Sequence, residues 1–190
     1  NPHTYTTGGV TEFQLADPVV ALQGSGTAQA PYLVLFLDAS GRQDLTFSVD
    51  LRDIDSSMDN SIQPVSVQYR VGGSGLWTAL EQGYVADASG GPGQATLVHH
   101  LEFALPADVN NQPQVEIRIL TTNAEGSDEW IGVDNISVTS VAAGVDSTAP
   151  ELASSIPADD AMAVAPGADL QLAFNELVKA GSGSITLDDG

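Results

Sequence analysis

Asp53, Asp55 and Asp59, followed by Asn60, place hard oxygen donors close together in the polar stretch Arg52–Gln63. Carboxylates two and four residues apart in a loop can converge on Ca²⁺, which takes about six to eight oxygen ligands in flexible geometry. No glycine occupies the sixth position and no glutamate the twelfth, so the loop is not an EF-hand. A solvated loop built from Asx-turns explains the same composition, and both readings stand.

A second candidate is Asp134-Asn135, inside the stretch Asp128–Val138. Trp130, Ile131, Val133, Ile136 and Val138 are large β-formers of the kind a packed strand needs. A carboxylate set among them is costly unless it is paired, hydrogen-bonded or on a metal. By analogy with calcium-binding jelly-roll modules, Asp134 would share an ion with Glu12 on the first strand. Alternatively it accepts hydrogen bonds from Arg52 or from backbone amides. Asp146 is the third candidate, as ligand of a calcium ion that stiffens a joint between domains, or as part of a plain polar linker. The implied cofactor is structural Ca²⁺.

The remaining chemistry is thinner. Trp77 and Tyr84 are candidate sugar-stacking residues, with Tyr69 and Trp130 as further aromatics, although Trp130 fits a core equally well. His99 and His100 are neighbours, so in a strand they point to opposite faces and cannot chelate one ion together. No serine sits in a G-x-S-x-G elbow. The glycine runs 72–75 and 90–93 are turns, since no Lys-Ser/Thr and no helix start follow them. Without cysteine there is no disulfide, no Cys-ligated zinc and no thiol nucleophile. No active site is legible, and we expect this segment not to be an enzyme.

Charge narrows the partners. Aspartate and glutamate number 25 against 5 Lys+Arg, a formal net charge of −20. Direct nucleic-acid or anionic-membrane binding is not expected, because phosphate contact depends on Lys and Arg. Cation attraction and solubility are favoured. No apolar run approaches the ~18 residues of a membrane span.

The elements that must position these residues are strands. Leu45–Leu51 alternates, with Leu45, Phe47, Val49 and Leu51 on one side. Val65–Val71 and Gln114–Leu120 alternate in the same way, and Tyr32–Leu37 is a continuous apolar run. Thr4–Phe13, Val19–Leu22, Leu76–Leu80, Ala95–Leu105 and Glu129–Val138 complete the set. Short strands with turn clusters between them predict an all-β antiparallel sandwich of jelly-roll type over residues 1–141. A small, polar, Pro-terminated stretch, 142–150, reads as a linker. Glu151–Ile156, Leu170–Phe174 and Ser184–Leu187 restart the pattern over 151–190.

Several blocks keep order and spacing: Leu51-Arg52-Asp53-Ile54-Asp55, residues Gln63–Gly72, Val85-Ala86-Asp87-Ala88, Gln112-Pro113-Gln114-Val115, residues Arg118–Ala124, and Glu129–Ile136. Over Val19–Val138 they resemble a jelly-roll-like β-domain of large secreted bacterial proteins, among them extracellular endonuclease/exonuclease/phosphatase-type enzymes and cell-surface proteins. The tail, with Asp146-Ser147-Thr148-Ala149-Pro150 and residues Ser154–Asp160, resembles the start of an Ig-like domain of the bacterial surface-layer SbsA type. These resemblances imply an accessory or spacer module of a secreted or cell-surface multidomain protein, partnered by its neighbouring domains and stabilised by calcium. A carbohydrate-binding accessory module, and the substrate-holding part of an extracellular nuclease or phosphatase, are the alternatives.

Overall fold

The alternation of Leu45, Phe47, Val49 and Leu51 becomes the long strand β4, Arg42–Asp53, and all four side chains are buried. In the computed structural model, which describes residues 2–5, 7–55, 61–90, 97–124, 128–144, 149–176 and 178, this strand is paired along both of its edges within a five-stranded sheet. Backbone contacts group the chain into two units, Asn1–Gly144 and Val145–Gly190.

In the first unit β1 (Gly9–Phe13), β2 (Val19–Gln23), β9 (Ile131–Ala142), β4 and β7 (Val98–Ala104) form one sheet, in that spatial order. The second sheet runs β3 (Tyr32–Leu37), β8 (Val115–Thr121), β5 (Val65–Val71) and β6 (Thr78–Val85). Every pairing is antiparallel. From β2 to β9 each connection crosses between the sheets, except the β5–β6 hairpin. Such winding of eight strands into two facing sheets is a jelly roll, so the expected antiparallel sandwich is what the chain forms.

The two sheets close over one core. Phe47, Val49, Leu51, Ile131 and Leu22 from the first sheet meet Val65, Val67, Val115, Ile117 and Ile119 from the second. A smaller cluster, Phe13, Val19, Ala21, Ile54 and Trp130, uses the side chains of opposite parity and covers the outer face of the first sheet. Trp130 therefore packs outside the main core, edge-on to Phe13 at 5.1 Å between ring centroids. Gly132 leaves room for this cluster, since a Cβ there would lie 2.8 Å from Val19 Cγ2 and 3.1 Å from Ile54 Cγ2.

Strand bounds differ from expectation where turns intrude. The stretch expected as Leu76–Leu80 becomes β6 only at Thr78, because the turn at Gly72, Gly73 and Gly75, all at positive φ, holds Leu76 and Trp77 out of the ladder. Asp134-Asn135 marks a bulge. Ser48 pairs with Ser137 and Asp50 with Asp134, so Val49 alone opposes Asn135 and Ile136. Asn135 has φ 48°, a left-handed conformation that asparagine tolerates and β-branched residues do not. Its Nδ2 donates to Asp50 Oδ2 at 2.7 Å. We expect Asn135→Val to cost ~1–3 kcal/mol and Asn135→Gly about half that, read as shifts in the urea midpoint. Equal costs would show that the backbone conformation is unimportant here.

The second unit contains an antiparallel ribbon of β10 (Leu152–Ile156) and β11 (Gln171–Phe174). Among the described residues, no helix is long and apolar enough to cross a membrane.

Candidate functional site

The outward face of the second sheet gathers three exposed aromatics, Tyr32, Phe36 and Tyr84, beside two of the chain's arginines. Inward side chains of β3, β8 and β5 alternate with outward ones, and strand register aligns the outward set into three rows. The first is Tyr32, Leu120, Ser66 and Tyr84; the second is Val34, Arg118, Gln68 and Ala79. The third is Phe36, Glu116 and Arg70, and it ends beside Trp77, just before β6.

Tyr32, Phe36 and Tyr84 are 51%, 72% and 58% exposed, high values for aromatics on a sheet. Trp77 is half-buried. Its ring meets the Arg70 guanidinium carbon at 4.4 Å and that of Arg118 at 4.3 Å from the centroid. Arg118 also lies 5.5 Å from the Tyr32 ring. Guanidinium planes stack well on aromatic faces, so they fix rings that would otherwise swing freely.

Polar partners lock the arginines in turn. Arg70 Nε donates to Glu116 Oε2 at 2.7 Å, and Nη2 lies 2.6 Å from the same oxygen. Arg118 Nη2 donates to Gln68 Oε1. Partial burial pulls Arg118 below its ordinary value, the charge interaction with the Tyr32 hydroxyl group opposes this, and the neighbouring Arg70 charge adds to the fall. At one end of the face Pro64, Val65, Ser66, Tyr84, Leu120 and Thr122 line a groove of about 260 Å³. Rigid apolar rings interspersed with fixed donors and acceptors suit a ligand with flat apolar faces and hydroxyl edges.

The acidic candidates fall elsewhere. Asp134 Oδ2 accepts from Arg52 Nη1 at 2.5 Å, and Arg52 also donates to Asp17 at 2.8 Å. Glu12 is exposed and accepts from Gln14. Asp59 and Asp146 lie outside the described residues. Asp53 and Asp55 are 1% and 4% exposed, because they continue the inward parity of Leu45, Phe47, Val49 and Leu51 beyond the end of the hydrophobic run. Glu129, 1% exposed, is brought beside them by the pairing of β4 with β9. Parity along Leu45–Asp55 was the signal that could have placed these carboxylates inside.

Burial is the main cause that lifts the Asp53 carboxyl from 3.8 to about 7. A hydrogen bond from the Asp55 backbone opposes the rise, while the charges of Glu129, Asp55 and Asp87 add to it. A carboxyl raised in the folded state binds its proton more tightly there than in the unfolded chain. Its contribution to stability is complete below about pH 4 and is lost as the pH rises through about 7. In chelator, we expect the wild-type denaturation midpoint to fall across this window relative to Asp53→Asn. Parallel pH profiles for the two proteins would refute this.

No family model matches the chain, and no curated protein matches it. Solved structures similar to it include a TmCBM61 module in complex with β-1,4-galactotriose, with a TM-score of 0.47 and 9% identity over 71% of this chain and 86% of that one. A CBM28 carbohydrate-binding module specific for non-crystalline cellulose has a TM-score of 0.41 and 15% identity over 68% and 79%. The enzymatically active domain of bacteriophage CBA120 tailspike protein 4 has a TM-score of 0.42 and 7% identity over 72% of this chain and 18% of that one.

Proposed function

We propose that the first unit is a non-catalytic glycan-binding module, and that its ligand lies across the outward face of the second sheet. One observation carries the reading. Trp77 is held by Arg70 and Arg118 on a face that also presents Tyr32, Phe36 and Tyr84 to solvent. Aromatic faces stack on the C–H faces of pyranose rings, and Gln68 and the two guanidiniums supply donors and acceptors for hydroxyls, while the buried Glu116 holds Arg70 in place. The net charge of −20 repels polyanions, so the ligand class is neutral polysaccharide. The same charge disfavours a role in holding phosphodiester substrates.

Native gels cast with soluble neutral β-glucans, β-galactans, mannans or xylans test this. At least one should retard the chain relative to a gel without polysaccharide. A passive spacer role, the competing reading, gives equal mobility in all of them. We place the module in a secreted or cell-surface bacterial protein, with the second unit as the start of an Ig-like domain. The support is the resemblance of the separated sequence blocks described above.

A further inference from the structure

The groove at one end of the binding face is part of a longer track. Ser66, Tyr84 and Leu120, which line it, belong to the row Tyr32, Leu120, Ser66 and Tyr84. That row crosses all four strands of the second sheet, from one outer strand, β3, to the other, β6. Three strand spacings make it about 14 Å long, roughly the length of three linked pyranose rings. Its ends are the two tyrosines, both more than half exposed, and its middle is the half-buried pair Leu120 and Ser66. Both middle side chains are shorter than a tyrosine, so the row is a shallow trough with a ring at each end. Pro64 and Thr122, where β5 begins and β8 ends, form one bank. Arg118 and Gln68, in the adjacent row, form the other, with Trp77 stacked on Arg118. Arg118 also lies 5.5 Å from the Tyr32 ring centroid, which ties one end of the trough to the tryptophan. Among the described residues, those lining the groove carry no charge.

We propose that this trough sets the direction and length of the ligand: a neutral glycan crosses the strands from Tyr32 to Tyr84, bound through about three consecutive internal rings. The inference rests on the glycan reading and adds the orientation to it. The outer two of the bound rings stack on the tyrosines, whose apolar faces and hydroxyl tips suit a sugar. The middle ring lies over Leu120 and Ser66. Arg118 and Gln68 reach its hydroxyl edge from one bank, and Thr122 from the other. A groove without charged lining offers no partner to a carboxylate or sulfate on the sugar, which matches a neutral chain. Because β3 and β6 are the outer strands, the sheet builds no wall beyond either tyrosine. The glycan therefore continues past both, and neither of its ends is recognised. A chain laid along β3 instead, from Tyr32 to Phe36, would miss the groove.

The test is isothermal titration calorimetry of the full chain with oligosaccharides of two, four and six residues. They are cut from whichever β-glucan, β-galactan, mannan or xylan retards the chain in the gels. Affinity should rise about tenfold or more from the disaccharide to the tetrasaccharide, and little from there to the hexasaccharide. Tyr84→Ala and Tyr32→Ala should each cut the tetrasaccharide-to-disaccharide ratio several-fold. Borohydride reduction of the end ring of the hexasaccharide should leave its affinity unchanged. Three results would each overturn the proposal while leaving a glycan-binding module: equal affinities at all lengths, about a tenfold loss on reduction, or a ratio cut by Phe36→Ala but by neither tyrosine variant. No retardation by any of the polysaccharides would remove the glycan reading, and the proposal with it. Both tyrosines lie outside the core. Should one variant not fold, the other and the wild-type length series decide.

Discussion

Trp130→Ala should destabilise the first unit by ~3–5 kcal/mol, the cost of removing a large, fully buried aromatic side chain. Trp130 is 2% exposed and sits edge-on to both Phe13 and Tyr5, with ring centroids at 5.1 and 6.4 Å. It belongs to the small cluster that covers the outer face of the first sheet. Only Phe13, Val19, Ala21 and Ile54 share that cluster as buried members, so little material is available to refill the void. Trp130→Phe should cost far less, because Trp130 Nε1 makes no hydrogen bond that the change would break. Urea denaturation followed by circular dichroism measures both. A loss under ~1 kcal/mol for the alanine variant would mean that the cluster is not part of the cooperative unit.

Trp77→Ala should abolish glycan binding while leaving the fold intact. The ring is half-buried against Arg70 and Arg118 and lies outside the main core. Its removal takes away one stacking face and releases both guanidiniums from their fixed positions. Central aromatic anchors of an interface typically cost ~2–4 kcal/mol when truncated, about 30-fold or more in affinity at 1.4 kcal/mol per tenfold. Tyr84→Ala, at the far corner of the face beside the groove, should cost less. A Trp77→Ala protein that folds as wild type and is retarded equally by the same polysaccharide would displace the site from this face.

Much of this architecture was legible in the residues. Tyr32–Leu37 and Val65–Val71 form strands with the bounds that their patterns give, because period-two alternation and apolar runs are local signals. The pairing of β4 with β9 and of β8 with both β3 and β5 joins segments far apart in sequence. No local pattern encodes such neighbours, so the sheet order, and with it the three rows of the aromatic face, needed the structure. Trp77 and Tyr84 stood out as aromatics in a chain with few of them, whereas Tyr32 and Phe36 were hidden inside an apolar run that reads as core. Their exposure follows from strand parity, once Leu33, Leu35 and Leu37 are seen packed on the core. Asp134 stood out for a related reason. A carboxylate in an apolar strand demands a partner, and the register of β4 against β9 supplies Arg52.

Intrinsic fluorescence tests the central claim most directly, because the chain has two tryptophans. Trp130 is sealed in the outer cluster of the first sheet, and Trp77 lies on the proposed glycan face. Titration with a polysaccharide that retards the chain should change the emission of the wild type and leave that of Trp77→Phe, which reports Trp130 alone, unchanged. A glycan that binds with equal emission changes in both proteins, or with none in the wild type, would contradict a binding face built around Trp77.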